Sequence, residues 1–129
     1  MARVLALAPD LLFGSRVQGA LTAAGHQVEL IGDEEGLRAR LGDLSAPAPA
    51  ALIVDLTSES LDGATLVESL IAEQVVAQVG TLAFYSHVDV HVRERAERAG
   101  FDLVVPRSRM AREGPALLER LLARVRPQA

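Results

Sequence analysis

The side chains with most chemistry to offer stand where apolar runs stop. Asp55 closes the run from Ala50, and Asp10 follows Arg3–Ala8 by way of Pro9. Ser86-His87 follows Thr81–Tyr85, and Pro106-Arg107-Ser108 follows Phe101–Val105. A carboxylate ending a buried run is costly to desolvate unless a cation or hydrogen-bond donor meets it. Asp55 therefore either caps its own loop or serves a site. Asp10 has a simpler use, since an Asp just before a helix accepts hydrogen bonds from its first free N–H groups. His87, Asp89 and His91 have the alternate spacing of ligands on one strand face. At a strand end and helix start, however, they read as an Asp89 cap with two exposed histidines. No GxSxG elbow, Walker A loop or GxGxxG fingerprint is present. Gly14 and Gly19 lie inside a helical stretch and are given no phosphate role.

The elements that must position these groups follow from periodicity. Five short apolar runs alternate with five stretches of helical spacing, which predicts a single doubly wound α/β domain over residues 1–129 with a five-stranded parallel sheet. Arg3–Ala8 is apolar almost throughout, as a strand buried on both faces should be. The next helix carries Phe13, Val17, Leu21 and Ala24 at helical spacing, and Gly25 supplies its left-handed stop. His26–Ile31 is the second strand. Asp33-Glu34-Glu35 places negative charge at the positive end of a short helix running to about Leu41. Residues 45–49, Ser-Ala-Pro-Ala-Pro, read as a surface loop. Ala50–Asp55 is the third and central strand, followed by a helix over Gly63–Val76 with Leu66, Leu70 and Ile71 on one side. Thr81–Tyr85 is the fourth strand, Asp89–Ala99 a charged helix closed by Gly100, and Phe101–Val105 the fifth strand. The last helix spans Pro115–Val125 and buries Leu117, Leu118, Leu121, Leu122 and Val125. In such sheets ligands bind beyond the carboxyl ends of the strands, where the chemistry-bearing residues cluster.

Several short segments, in order, resemble the receiver domain of two-component signalling. Residues 55–63, Asp-Leu-Thr-Ser-Glu-Ser-Leu-Asp-Gly, are similar to the loop that follows the phosphorylated aspartate, including the Asp-Gly that opens the third helix. Residues 24–28, Ala-Gly-His-Gln-Val, are similar to the turn into strand two, and residues 99–102, Ala-Gly-Phe-Asp, to the turn into strand five. The resemblance covers nearly the whole chain and implies a flavodoxin-like (βα)5 fold with strand order 2-1-3-4-5. It marks Asp55 as the phosphoacceptor-like residue and Ser86 as the hydroxyl that meets a phosphoryl group. Two departures stand against it. Receivers end strand one with an acidic pair that helps hold Mg²⁺, whereas Ala8 and Pro9 stand here and neither can ligate through its side chain. Asp10 is displaced from that place and either caps the helix or swings back. Arg107 takes the place of the receiver lysine when counted without a gap; aligned on the prolines, Val105 takes it and no cation remains. His87 stands where a small residue is usual, and Val104 where a switch aromatic is common. The pocket implied is Asp10, Ser86 and Arg107 around Asp55. If Mg²⁺ binds at all, Asp10 and Asp55 are its carboxylates; otherwise no cofactor is expected.

Composition narrows the function. The 129 residues carry a formal charge of −4, are half apolar, and include no cysteine. Disulfide and thiolate chemistry is thereby excluded, and no apolar run is long enough to span a bilayer. With no export signal evident, a cytoplasmic protein without an output domain is expected. Aromatic residues are scarce, which speaks against base-stacking recognition of nucleic acid. Charge is uneven: residues 1–86 hold 4 arginines against 11 acidic residues, and residues 87–129 hold 9 against 6. Some of that charge should cancel through Glu94 with Arg98 and Arg93 with Glu97. Arg93, Arg95, Arg98, Arg109 and Arg112 still give the fourth and fifth helices a basic surface. In receivers that face serves dimerisation and partner docking, so the resemblance implies a homodimer, a kinase or an output protein there. The readings that follow are a non-enzymatic receiver-like protein acting through contact, a regulator phosphorylated at Asp55, and a small flavodoxin-like ligand binder.

Overall fold

The computed structural model describes residues 2–86 and 90–125. Strands β1 (Arg3–Leu7), β2 (Gln27–Ile31), β3 (Ala51–Asp55), β4 (Gly80–Tyr85) and β5 (Leu103–Pro106) alternate with helices α1 (Leu11–Ala23), α2 (Glu34–Leu41), α3 (Gly63–Ala72), α4 (Val90–Ala99) and α5 (Arg107–Val125). All pairings are parallel and the order is β2-β1-β3-β4-β5, as expected from the alternation and the resemblance. Side chains alternate across each strand. Val4, Ala6, Ile53 and Phe84 therefore meet α1 and α5 on one face, while Leu5, Leu7, Leu52 and Val54 meet α2, α3 and α4 on the other. Strand limits shift by one or two residues from the sequence reading, the ordinary spread at element ends.

Two boundaries differ more. Helix α3 ends at Ala72 instead of reaching Val76, because Gln74 takes a left-handed φ of 59°. Its N–H bonds Ile71 O (3.0 Å) and that of Val75 bonds Leu70 O (3.0 Å), closing the helix as a glycine would. Ile71 is 42% exposed, while Ala64 and Val67 join Leu66 and Leu70 on the packed side. At the end of α1, Gly25 (φ +99°) makes the same closure, as read from the sequence, though Ala24 lies outside the helix and exposed. Helix α5 begins at Arg107, eight positions before the expected Pro115. Glu113 is non-helical inside it (φ −126°, ψ 18°), two residues ahead of that proline. Pro115 cannot donate to Ala111 and its ring crowds that carbonyl, so the helix breaks there. Among the buried-stripe residues, Leu117, Leu118 and Leu121 are in the core and Leu122 is partly buried.

Gly63 is where the fold is least tolerant next to the site. A Cβ there would lie 2.6 Å from Leu56 Cδ2 and 2.7 Å from Val54 Cγ1, so α3 starts pressed against the end of β3. Gly63→Ala is expected to destabilise by about 1–2 kcal/mol through overpacking, measured as a fall in the urea midpoint; an unchanged midpoint would contradict the close approach.

Candidate functional site

Register sets the site. Asp55 pairs with Phe84, and Phe84 with Val105. Leu7 pairs with Val54, so Ala8 continues β1 level with Asp55. Tyr85 pairs with Pro106, which brings Arg107 level with Ser86 and places Val105 in the buried row beside Phe84.

Asp55 has no exposed surface. Its Oδ1 accepts hydrogen bonds from the Thr57 N–H (2.7 Å) and the Thr57 hydroxyl (2.6 Å). Its Oδ2 is buried and has no hydrogen-bond partner among the described residues. One oxygen caps the loop, and the other is left for something else. Thr57 was not singled out in the sequence, although Asp followed two residues on by a hydroxyl residue is a recognisable local pattern.

Among the described residues the hydrogen bonds to Asp55 come from Thr57 and not from Asp10, Ser86 or Arg107. Asp10 caps α1, its Oδ1 accepting from Leu12 N–H (3.1 Å) and Phe13 N–H (3.3 Å). Its Oδ2 lies 3.6 Å from Arg107 Nη2. The Arg107 guanidinium also rests over the Phe13 ring, 4.2 Å from its centre, a cation–π contact. Asp10 and Arg107 therefore hold each other, bridging the starts of α1 and α5, and the partners of Asp55 are both on Thr57. Ala8 is buried and Pro9 half-buried. This donor set does not suit Mg²⁺, which takes an octahedron of oxygens and is usually held through one or two carboxylates. Level with Asp55 on β1 stands Ala8, which has no side-chain oxygen to offer. Among the described residues no group of three or more His, Cys, Asp or Glu could hold a metal ion.

Ser86 is half-buried and lines a groove of about 540 Å³ between the β3–α3 loop and α4, with Thr57, Asp62, His91 and Arg95 on its walls. His91 is exposed there, while His87 and Asp89 lie outside the described residues. Asp62 caps α3 by accepting the Thr65 N–H (3.1 Å) and hydroxyl (2.8 Å). Those bonds, the backbone one first, hold its carboxyl below the usual range. The folded value lies below the unfolded one, so this cap's contribution is full above the unfolded pKa and is lost as pH falls through the folded one.

The five arginines of the expected partner face are divided. Helices α4 and α5 lie on opposite faces of the sheet. Arg95 turns back to α3, where Nη1 meets Glu68 Oε2 at 2.9 Å and Nη2 meets Oε1 at 2.5 Å. Its hydrogen bonds are the first cause of the lowered Glu68 pKa. Arg93 pairs with Glu97 (3.3 Å), and Arg109 and Arg112 share Glu113 (3.4 and 3.9 Å). Arg98 ends α4, exposed.

No protein-family model and no curated protein sequence matches the chain. Solved structures do. FixJ-N aligns with a TM-score of 0.83 at 18% identity, covering 100% of this chain and 98% of that one. The receiver domain of TorR, a response regulator of a TMAO respiratory system, gives 0.83 at 19%, covering 97% and 99%. NtrX from Brucella abortus, solved with ADP, gives 0.82 at 20%, covering 96% of this chain but only 26% of the NtrX chain. At these identities the likeness is one of fold, and the fold is that of response-regulator receiver domains.

Proposed function

We propose that the chain is an atypical receiver of two-component signalling that works through protein–protein contact, as a homodimer or an adaptor, without metal-dependent phosphoryl transfer. The observation that carries this reading is the pairing of Asp10 with Arg107 while Ala8, which has no ligating side chain, stands level with Asp55. Phosphoryl transfer to a carboxylate depends mainly on cations placed to neutralise the transferring oxygens. Here the metal ligands are replaced and the one cation is turned to α1. The protein is then a non-enzymatic, cofactor-free signalling module of the cytoplasm. Its partners are a second copy, a kinase or an output protein, met through α4 and α5; nucleic acid and membrane are not among them. No helix among the described residues is long and apolar enough to cross a membrane.

A regulator phosphorylated at Asp55 is the second reading, and the unpartnered Asp55 Oδ2 favours it. Incubation with a small-molecule phosphodonor and Mg²⁺, followed by intact mass measurement, separates the two. The expected result is an unchanged mass. A phosphate increment that vanishes in Asp55→Asn would replace the first reading by the second.

A further inference from the structure

The turn from α1 into β2 places a histidine where an apolar residue is usual. Ala24 caps α1 and Gly25 follows with a φ of +99°. The chain then closes back on the helix: the Gly25 N–H bonds Thr22 O (3.0 Å) and the His26 N–H bonds Leu21 O (3.1 Å). The second residue past such a cap commonly packs an apolar side chain on the last turn. Here that side chain is an imidazole, 5% exposed.

Both ring nitrogens are engaged. Nδ1 lies 3.1 Å from the Ala2 backbone nitrogen, and Nε2 lies 3.1 Å from Glu119 Oε1 on α5. A backbone N–H only donates, so Nδ1 is bare, and the proton of the neutral ring sits on Nε2, donated to the Glu119 carboxylate. The ring thereby ties the chain entering β1 to α5, partners 24 and 93 positions away in sequence. The Ala2 carbonyl is held separately, accepting the Gln27 N–H at 2.9 Å. Among the described residues, the hydrogen bonds and ion pairs of the ring bring it one charged group, Glu119. The last turn of α1 carries no charge. Arg3, next to Ala2, turns to Pro47 O and Glu29. On α5, Arg120 is exposed and Arg124 donates to Asp102 O at 2.7 Å.

We infer that His26 is a proton-operated latch: the neutral imidazole ties the Ala2 N–H into the fold, and protonation at Nδ1 releases it while tightening the hold on Glu119. Histidine is the side chain whose charge changes closest to neutral pH. A proton taken from solvent onto Nδ1 sets two donors against each other, and the partly buried Ala2 N–H loses its acceptor. At Nε2 the same proton turns a hydrogen bond into an ion pair. The Glu119 side chain is 67% exposed, so water screens that gain. The latch sits at the amino end of β1, whereas Asp55 ends β3 at the carboxyl end of the parallel sheet. It works whether or not Asp55 takes a phosphoryl group.

The test is nuclear magnetic resonance of the intact, isotope-labelled chain from roughly pH 8 to pH 5. At the upper end the His26 ring nitrogens should show the Nε2–H tautomer. As the ring titrates, protection of the Ala2 amide, corrected for the intrinsic pH dependence of exchange, should fall at least about threefold, the worth of one hydrogen bond. The two changes should share a midpoint. Glu119→Gln, at an exposed side chain, should lower that midpoint by removing the carboxylate that favours the charged ring, and should leave the two changes coincident. His26→Asn offers an acceptor oxygen that does not titrate, and should keep the Ala2 amide protected at both ends of the range. The latch is ruled out by an Nδ1–H tautomer at the upper end, or by a ring that stays neutral throughout. It is equally ruled out by ring titration that leaves the Ala2 amide unmoved, by a midpoint that Glu119→Gln does not lower, or by loss of Ala2 protection in acid that persists in His26→Asn.

Discussion

Replacing Phe84 by alanine is expected to lower the free energy of unfolding by about 3–5 kcal/mol, the range for deleting a buried aromatic side chain. Phe84 is 1% exposed in the central region of the sheet, and its ring centre lies 5.1 Å from that of Phe13 at a tilt of 54°. Such aromatic pairs add about 0.5–1.5 kcal/mol beyond burial. The loss would be a large fraction of the stability of an ordinary domain, about 5–15 kcal/mol. Its effect reaches the site by two routes. Phe84 pairs with Asp55 across the sheet, and its carbonyl accepts the Leu56 N–H at 2.9 Å, just past the aspartate. Phe13, which it supports, is the platform on which Arg107 rests. Urea unfolding of Phe84→Ala beside Phe84→Leu checks this: leucine should restore much of the loss. A cost below about 1 kcal/mol for alanine would mean that the α1–α5 side of the core is not packed around this ring.

The strands were legible because burial on both faces leaves little room for polar residues, so each reads as an apolar run. The helices on the α1–α5 side were legible where a stripe repeats, as in Leu117, Leu118 and Leu121. What escaped notice had no periodic signal. Gln74 closes α3 in a conformation usually left to glycine, so nothing in its type announced the stop. The first half of α5 carries four polar residues around Met110 and Ala111, and a proline eight positions on made Pro115 look like its start. At the site, Asp55, Ala8 and Pro9 were legible because a strand end fixes their neighbours by register. The direction of the Arg107 side chain was not legible. A guanidinium on a flexible stem goes to whichever carboxylate and ring the fold brings near, and Asp10 with Phe13 come from the other end of the chain. The charge count likewise placed five arginines on one face, yet could not show that Glu68 draws Arg95 back toward α3.

Asp55→Asn is expected to stabilise the protein by about 1–2 kcal/mol. The estimate follows from the penalty of about 1–3 kcal/mol for a buried polar group without a partner, larger when charged. Asparagine keeps the carbonyl oxygen that accepts both Thr57 bonds, and it removes the charge from a side chain whose other oxygen meets no donor among the described residues. The remaining amide is still unpartnered, which is why the gain is not the whole penalty. Thr57→Val should act oppositely, because it strips the hydroxyl bond from Oδ1. Its cost of about 1.5–3 kcal/mol, that of a hydrogen bond to a charged group, should shrink once Asp55 is asparagine. The two substitutions form a double-mutant cycle whose coupling reports how strongly the carboxylate leans on Thr57. Urea midpoints at neutral pH give all four corners. A lower midpoint for Asp55→Asn would show that Oδ2 has a partner after all and that Asp55 belongs to the fold. A higher one makes it a carboxylate held at a cost to stability, which is the mark of a group retained for what it does. On the proposed reading, that use comes from the shape and charge it gives the β3–α3 loop.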